Sequence, residues 1–311
     1  MKIGLDIMGG DFAPQATILG AIAAYKELSA DQQLVLIGDK DIAVAILKEN
    51  NFNPDYFEFV HTTEVIGMAE HPARAVVQKA DSSISVGFKL LKEGAIDAFS
   101  SAGNSGAMLV GAMLSIKAIP GVLRPAITSI VPKLDGTLAI LVDVGANADC
   151  KPEFFPQFGA LGSLFAQYVY NIKNPRVALL NIGEEEGKGN VLSQAAYPLM
   201  KESKLFNFIG NVEGRGLFED VDVIVCDGFT GNVVLKFAES FYEVAHKKGI
   251  KDDFFDMFNY EQYGGSPILG VNGPVAVGHG ISTPEAIKNM IVLCKNMVES
   301  SLVDKIKSAF Q

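Results

Sequence analysis

The chain has 311 residues, of which 49% are hydrophobic and 20% are charged, enough to bury a sizeable core in one large domain or two closely associated ones. Its formal net charge of −10 argues against nucleic acid as a partner, because phosphate backbones are bound by basic surfaces. Three widely spaced cysteines, Cys150, Cys226 and Cys294, show neither metal-type spacing nor a disulfide framework, so no metal site is expected.

Strand-like runs alternate along the chain with amphipathic runs of helix length. The predicted strands are 2–6, 33–38, 57–61, 95–100, 126–132, 137–144, 177–182, 206–210 and 222–227. The predicted helices are 14–28, 39–49, 72–93, 106–116, 153–171, 191–201, 232–247 and 284–309. This alternation predicts a largely parallel sheet covered by helices on both faces. The neighbouring runs 126–132 and 137–144 are expected to form a hairpin, which makes the sheet mixed.

Four stretches share one pattern, in which an apolar run ends in small residues built around Gly and Asn. They are 101–107, 143–149, 181–190 and 227–232. In an open α/β sheet, ligands bind outside the carboxyl ends of the strands. Loops of this composition at that edge present many backbone N–H groups and few bulky side chains. They suit an anion or a developing oxyanion.

The sequence leaves open the roles of two turns, one with two aspartates and one rich in glycine. In the turn 6–11, Asp6 and Asp11 could position groups, bind a cation or be solvated, and the turn lacks the dinucleotide-binding fingerprint. The stretch 183–189 resembles a P-loop superficially. It is one residue short and has Gly189 where Ser or Thr should hold magnesium, which argues against nucleotide triphosphate hydrolysis. Lys188 is either a phosphate ligand or a surface lysine.

Other polar candidates also have structural alternatives. Ser101, Asn104 and Ser105 either cap a helix or touch a ligand, and no Ser-His-Asp spacing is recognisable. Asn232 either caps its helix or orients a ligand carbonyl. His279 is a proton donor, an anion ligand or a partner of a backbone carbonyl. The N-terminus meets two acids within its first residues, so no secretory signal and a cytoplasmic location are expected.

Eight motifs in order give the chain a family resemblance. They are Met8–Asp11, Ser101–Ala107, Arg124–Ala126, Val144–Asp149, Leu180–Asn190, Cys226–Val233, Tyr263–Pro267 and His279–Gly280. Together they resemble the acyl-ACP:phosphate acyltransferases of bacterial phospholipid synthesis, from residue 1 to about 300. The segment between Asn232 and Tyr263 is shorter than is common in that family, and Gly216 replaces an acid.

The resemblance implies a three-layer αβα sandwich with a mixed, mostly parallel sheet of the isocitrate/isopropylmalate dehydrogenase-like type. It implies one domain over 1–311, a short helical excursion at about 240–262, and a homodimer. The implied reaction moves a long acyl chain from acyl carrier protein to inorganic phosphate, with no cofactor. The acyl phosphate then feeds a membrane glycerol-3-phosphate acyltransferase, which leaves open a transient contact with that enzyme and a location peripheral to the membrane.

The chemistry fits these residues. Phosphate is already an anionic nucleophile near pH 7, and a thiolate is a good leaving group, so the site needs mainly positioning and donors for an oxyanion. The expected catalytic residues are Lys188, Asn232 and His279. The expected substrate-binding residues are Asp6, Gly9, Gly10, Asp11, Ser101, Asn104, Ser105, Gly106, Asn147, Asn181, Asp227, Gly228, Thr230 and Gly231.

Three alternative functions remain at this point. A short-chain acyl-CoA phosphotransferase would use the same chemistry on a different donor. A dehydrogenase would share the fold, and the missing G-x-G-x-x-G argues only weakly against it. A non-catalytic regulator would bind an acyl group or an anion without turnover, and fold analogy alone does not separate it from an enzyme.

Overall fold

The structure, a computed structural model, describes all residues from 1 to 311. The chain forms two compact units, and the single domain over 1–311 expected from the sequence stays a prediction. Unit 1 comprises Met1–Ala118 and Glu261–Glu299, and unit 2 comprises Ile119–Tyr260 and Ser300–Gln311. Both units are α/β, and the prediction of a mixed, mostly parallel sheet is confirmed.

Eleven strands and eleven α-helices make up the two units. The strands are β1 Lys2–Asp6, β2 Gln33–Gly38, β3 Glu58–His61, β4 Ala98–Ser101, β5 Ala126–Pro132, β6 Leu138–Val142, β7 Arg176–Leu180, β8 Asn207–Val212, β9 Val223–Val225, β10 Ser266–Leu269 and β11 Val275–Val277. The helices are α1 Gln15–Tyr25, α2 Lys40–Glu49, α3 Pro72–Gln78, α4 Ser83–Glu93, α5 Ser105–Ser115, α6 Phe154–Val169, α7 Val191–Glu202, α8 Gly228–Lys247, α9 Asp253–Asp256, α10 Pro284–Glu299 and α11 Leu302–Phe310.

In unit 1 the strand order is β3-β2-β1-β4-β11-β10, and only β10 runs antiparallel to its neighbour. The carboxyl ends of β1, β4 and β11 therefore lie at the same edge of the sheet. The loops that begin after Asp6, Ser101 and Val277 all leave from this edge.

In unit 2 the order is β5-β6-β9-β7-β8. The pair β5–β6 is the antiparallel hairpin that the sequence predicts, and the remaining pairs are parallel. The carboxyl ends of β6, β7 and β9 share one edge. Three of the four Gly/Asn stretches, 143–149, 181–190 and 227–232, follow these ends.

Two predicted helices are each divided in the structure. The helix predicted over 72–93 breaks between α3 and α4, where Ser82 is extended and its hydroxyl accepts a hydrogen bond from Ser85 N at 3.3 Å. The helix predicted over 284–309 breaks at Ser301, which has φ of 52°. In both cases a serine interrupts the helix although the apolar pattern continues past it. Ser82 does so by capping α4, and Ser301 does so through its positive φ.

Strands β10 and β11 are not among the predicted strands. They have four and three residues, respectively, and Gly and Pro residues border them, so they lack the length from which alternation can be recognised. β11 nevertheless pairs in parallel with β4, through Val275↔Phe99 and Val277↔Ser101. This pairing places the loop containing His279 at the edge where the loop after Ser101 begins.

An ion network is buried in unit 2. Lys133 Nζ lies 3.0 Å from Asp222 Oδ1, and the two residues are only 5% and 6% exposed. Arg176 Nε donates to Asp222 Oδ2 at 3.1 Å, and Arg176 also pairs with Asp220. Burial pushes the pKa of Asp222 upward, but hydrogen bonds from Arg176 and Lys133 outweigh it and hold the pKa below its ordinary value.

Replacing Asp222 with Asn should lower the free energy of unfolding at pH 7 by about 1–3 kcal/mol, since the buried Lys133 ammonium loses its charged partner. A carboxyl with a depressed folded-state pKa stabilises the fold above its unfolded pKa of about 3.9 and loses that stabilisation as the pH falls through the folded value. Chemical unfolding from pH 7 to pH 3 should therefore show a flatter acid dependence in the variant. Glu243→Ala, which removes an exposed ion pair with Lys247, is the control and should change little.

Candidate functional site

In unit 1, a buried carboxylate ties together the loops that follow β1 and β4. Asp6 is 0% exposed, and its Oδ2 accepts a 2.6 Å hydrogen bond from Ser101 Oγ, while Oδ1 accepts from Met8 N at 2.9 Å. Ser101 Oγ in turn accepts from Gly103 N at 2.9 Å. Burial raises the pKa of Asp6, and these hydrogen bonds oppose the rise. Asp6 and Ser101 thus engage each other and the loop backbone.

Close backbone approach explains the glycines beside Asp6. A Cβ at Gly9 would lie 2.7 Å from Gly103 N and 2.5 Å from Asp6 Oδ2, so no side chain fits there. Gly10 has φ of 109°. Asp11 N donates to Gly280 O at 2.7 Å, so the loop after β11 joins the other two. His279, partly buried, stands next to that contact.

Asn104 is committed to structure in its present geometry. Its amide donates to the carbonyls of Gly67, Met68 and Glu70 at 3.0–3.2 Å, and its Oδ1 caps α5 by accepting from Ala107 N at 3.0 Å. The substrate-binding role predicted for Asn104 stays a prediction that this geometry does not favour.

Its two neighbours differ from each other. Ser105 is exposed at the first position of α5. A Cβ at Gly106 would lie 2.5 Å from Pro72 Cγ, which indicates a packing role for this glycine. Of the two, only Ser105 has a side chain that can reach a ligand.

In unit 2, Asp143 organises the loop after β6. Its Oδ1 accepts from Ile127 N and Ala146 N at 3.0 and 3.1 Å, and its Oδ2 accepts from Asn147 N and Nδ2 at 2.7 and 3.0 Å. Burial raises the pKa of Asp143 against these four N–H donors. Asn147 Nδ2 also donates to Pro125 O at 2.8 Å, so this amide, predicted to bind substrate, is part of the loop's internal bonding.

The N-terminus of α8 lies directly against that loop. Gly228 N donates to Asn147 O at 2.8 Å, and a Cβ at Gly228 would lie 2.8 Å from the same carbonyl oxygen. A Cβ at Gly231 would lie only 1.9 Å from Asp143 O. The first turn of α8 can therefore approach the loop this closely only with glycine at both positions.

The N-cap of α8 is Asp227, so Asn232 does not cap this helix. Asp227 accepts from Thr230 N at 2.8 Å and from Thr230 Oγ1 at 2.7 Å. Asn232 lies one turn further, exposed, and its Nδ2 donates to Val144 O at 3.1 Å. The alternative in which Asn232 caps the helix is thus wrong. Its amide instead sits at the edge of the Asp143 loop with its second N–H uncommitted.

The loop 181–190 is closed at its neck by Asn181. The Asn181 amide donates to Lys188 O and to Asn211 Oδ1, both at 3.1 Å, and its Oδ1 accepts from Ile182 N at 2.9 Å. Gly189 has φ of 101°, and a Cβ there would lie 2.4 Å from Asn181 Oδ1. Asn181 therefore holds the loop that presents Lys188.

Lys188 itself is exposed, and its backbone carbonyl lies at the neck of this loop. Its stem runs over Gly183, where a Cβ would come within 2.9 Å of Lys188 Cγ. No hydrogen bond or ion pair engages its ammonium, although three glutamates, 184–186, precede it in the loop and Glu186 pairs with Lys201. An uncommitted cation on a loop with fixed ends is suited to binding an anion.

Most of the predicted residues thus fall into two groups. Unit 1 brings together Asp6, Gly9, Gly10, Asp11, Ser101 and the His279–Gly280 segment. Unit 2 brings together Asn147, Asp227, Gly228, Thr230, Gly231 and Asn232. Asp143 was not among the predicted site residues, although an aspartate at the end of an apolar strand, ahead of a Gly/Asn loop, was a visible signal.

The chain is similar to proteins of known family over almost its whole length. Residues 1–305 match the family described as "Fatty acid synthesis protein". The chain is 44% identical to the phosphate acyltransferase of Dictyoglomus turgidum, with 98% of this chain and 96% of the relative covered. It is also 44% identical to the phosphate acyltransferase of Heliobacterium modesticaldum, with 99% and 97% covered.

Solved structures with a similar fold include a phosphotransacetylase from Streptococcus pyogenes, with a TM-score of 0.66, 15% identity, and 96% of this chain and 94% of that chain covered. A branched-chain phosphotransacylase from Enterococcus faecalis has a TM-score of 0.64, 14% identity, and 96% and 99% covered. At this identity the likeness concerns the fold alone. The sequence match decides the family: the chain belongs to the phosphate acyltransferases, in the family of fatty acid synthesis proteins.

Proposed function

We propose that the protein transfers a long-chain acyl group from acyl carrier protein to inorganic phosphate. A phosphate oxygen attacks the thioester carbonyl carbon, a C–O bond forms, the C–S bond breaks, and the phosphate proton ends on the sulfur. The products are an acyl phosphate and the free carrier thiol. The acyl phosphate is then a substrate for a glycerol-3-phosphate acyltransferase in the membrane.

The observation that carries this proposal is an uncommitted Lys188 ammonium on the loop that borders one cleft together with the start of α8. Phosphate binds to a cation and to N–H groups. In unit 2 the Lys188 ammonium and the second side-chain N–H of Asn232 are uncommitted, on segments that follow parallel strands. A leaving thiol of pKa about 8.5 needs little acid catalysis. Positioning and oxyanion stabilisation are then the main demands on the site.

The direct test is to incubate the purified protein with palmitoyl-carrier and phosphate and to trap acyl phosphate with hydroxylamine. We expect hydroxamate and free carrier thiol in equal amounts, both dependent on phosphate. Acetyl-CoA and butyryl-CoA form the comparison arm, since a short-chain phosphotransferase would prefer them. Binding of acyl-carrier without any phosphate-dependent release would identify a non-catalytic regulator instead.

Docking of the carrier should depend on ionic strength. Acyl carrier protein is acidic and this chain has a net charge of −10, so a local basic patch must receive it. The candidate cations for such a patch are Arg74, Lys79, Arg124, Arg176 and Arg215. Of these, Arg176 is engaged with Asp220 and Asp222, Lys79 with Glu70, and Arg215 with Glu213. Arg74 and Arg124 are therefore the stronger choices.

We expect the KM for acyl-carrier to rise at least severalfold between 50 and 300 mM salt, because screening weakens long-range attraction. The KM for phosphate, measured in the same buffers, provides the comparison. A carrier KM that stays constant across the salt series would contradict electrostatic docking.

We further propose that the protein works as a homodimer in the cytoplasm. Four exposed apolar side chains recur at helical spacing along α8, which agrees with a covered face: Phe229, Val233, Phe237 and Val244. Light scattering of the wild-type protein should give twice the chain mass, and Phe237→Glu should shift the measured mass toward that of a single chain.

None of the helices combines the length and apolarity needed to cross a membrane. Whether the protein sits at the membrane periphery is tested by flotation with anionic vesicles.

A further inference from the structure

A cleft of about 590 Å³ opens within unit 2 beside the loop that carries Lys188. A volume of this size is typical of small-molecule sites. Its floor is apolar and is formed by side chains of α6, β7, α8 and the segment after β9. These side chains are buried or pack against the core of this unit: Phe155, Leu180, Cys226 and Val234. Its rim is polar and comes from the ends of the Gly/Asn loops: Asn181, Asn190, Ser193, Asp227 and Thr230.

The polar groups on the rim largely satisfy one another. Asn190 Oδ1 caps α7 by accepting from Ser193 N at 2.8 Å, and Ser193 Oγ donates to the same oxygen at 3.0 Å. Thr230 Oγ1 donates to Asp227 Oδ2 at 2.7 Å, and Asn181 is engaged at the loop neck. A ligand in the cleft therefore meets few open hydrogen-bonding groups, which disfavours an amide-rich occupant.

The cleft also lacks positive charge. No Lys, Arg or His lines it, and its one ionisable carboxyl group is Asp227. A phosphate inside the cleft would face this carboxylate without a counter-charge. The phosphate must therefore bind outside it, near Lys188, while the cleft is suited to an uncharged apolar group.

We infer that this cleft holds the alkyl chain of the acyl group, so that its depth selects the chain length of the donor. The inference rests on the proposed function and names the substrate part that the apolar floor recognises. Exposed Ile182 at the rim extends the apolar surface toward solvent. The thioester then lies at the mouth, beside the loop that presents Lys188, and the chain runs inward over Leu180 and Val234.

Gly214 offers a way to fill the cleft with little strain. It lines the cleft, and a Cβ placed there meets no atom within 4 Å. Gly214→Leu should therefore fold and occupy part of the space, whereas Gly214→Ala makes the same backbone change and leaves the cleft largely open. Val234→Phe fills the cleft from α8 and provides a second, independent variant.

The experiment measures kcat/KM for palmitoyl-carrier and butyryl-carrier, with thermal melts for each variant. We expect Gly214→Leu and Val234→Phe to lose at least tenfold on the palmitoyl donor while the butyryl donor changes less than twofold. Gly214→Ala should retain wild-type values on both. A parallel loss on both donors in folded variants, or no loss on either, would overturn the inference.

A second measurement does not need turnover. Displacement of the fluorescent fatty acid cis-parinaric acid by palmitate should show binding to the wild-type protein and at least tenfold weaker binding to Gly214→Leu. If the wild type releases carrier with phosphate but Gly214→Leu binds palmitate normally, the cleft assignment fails and the proposed function stands. If no donor supports phosphate-dependent release while palmitate binding is lost in Gly214→Leu, the proposed function fails and the apolar site stands.

Discussion

Lys188→Ala is expected to reduce kcat/KM for phosphate by about 100- to 1,000-fold, the range typical of removing one preorganised electrostatic contact. The ammonium has no partner within the protein, so its removal leaves no buried group unsatisfied. The loop stays anchored, because Asn181 bonds to the backbone carbonyl of Lys188 and not to its side chain. The loss should appear at least in part as a raised phosphate KM.

Lys204→Ala is the matched control, since Lys204 is an exposed lysine of the same unit without an ion pair and outside the Gly/Asn loops. Steady-state kinetics at varied phosphate, with melts of both variants, make the comparison. Equal kinetics for the two variants would show that Lys188 is a solvated surface lysine and remove it from the site.

Asn232→Ala should lower kcat by about 100- to 1,000-fold with a small change in the KM of either substrate. The amide stands one turn into α8 and bonds to Val144 O, which leaves its second N–H to donate to the thioester oxygen as charge develops there. A donor that acts mainly on the developing oxyanion affects kcat more than binding.

Asn50→Ala controls for the loss of an amide that donates to a backbone carbonyl, because Asn50 Nδ2 donates to Ile46 O at 2.8 Å in unit 1. Its kcat should equal that of the wild type. For Asn232→Ala, a fall in melting temperature with unchanged kcat would mean that the bond to Val144 is only structural.

The fold could be predicted where apolar runs were long enough to show their period. The β5–β6 hairpin and the parallel strands β1, β2 and β7 follow directly from such runs. β11 could not be predicted, because three apolar residues between Pro and Gly carry no period. Its place beside β4 depends on contacts distant in sequence, which local patterns do not contain.

The loops that form the candidate site could be predicted from the sequence, but the roles of their individual polar side chains could not. Gly/Asn composition indicated where the chain turns back at the sheet edge, and these loops follow strand ends in both units. Which polar group faces inward is decided by its neighbours. The Asn104 amide donates to three carbonyls, and Asp143 accepts from four N–H donors, although Asn104 was a predicted site residue and Asp143 was not.

The contact between α8 and the loop after β6 allows the stability of the protein and its turnover rate to respond to different substitutions. Because a Cβ at Gly231 would lie 1.9 Å from Asp143 O, the main chain of α8 meets the main chain of the loop there, and backbone atoms set the closest approach. Substitutions in the apolar core of unit 2 that do not touch this contact are expected to leave the spacing unchanged while the unit remains folded. Core variants of this kind, away from the cleft, should therefore melt at lower temperature yet keep their turnover rate, so that the interior can vary in sequence while the reaction chemistry stays constant.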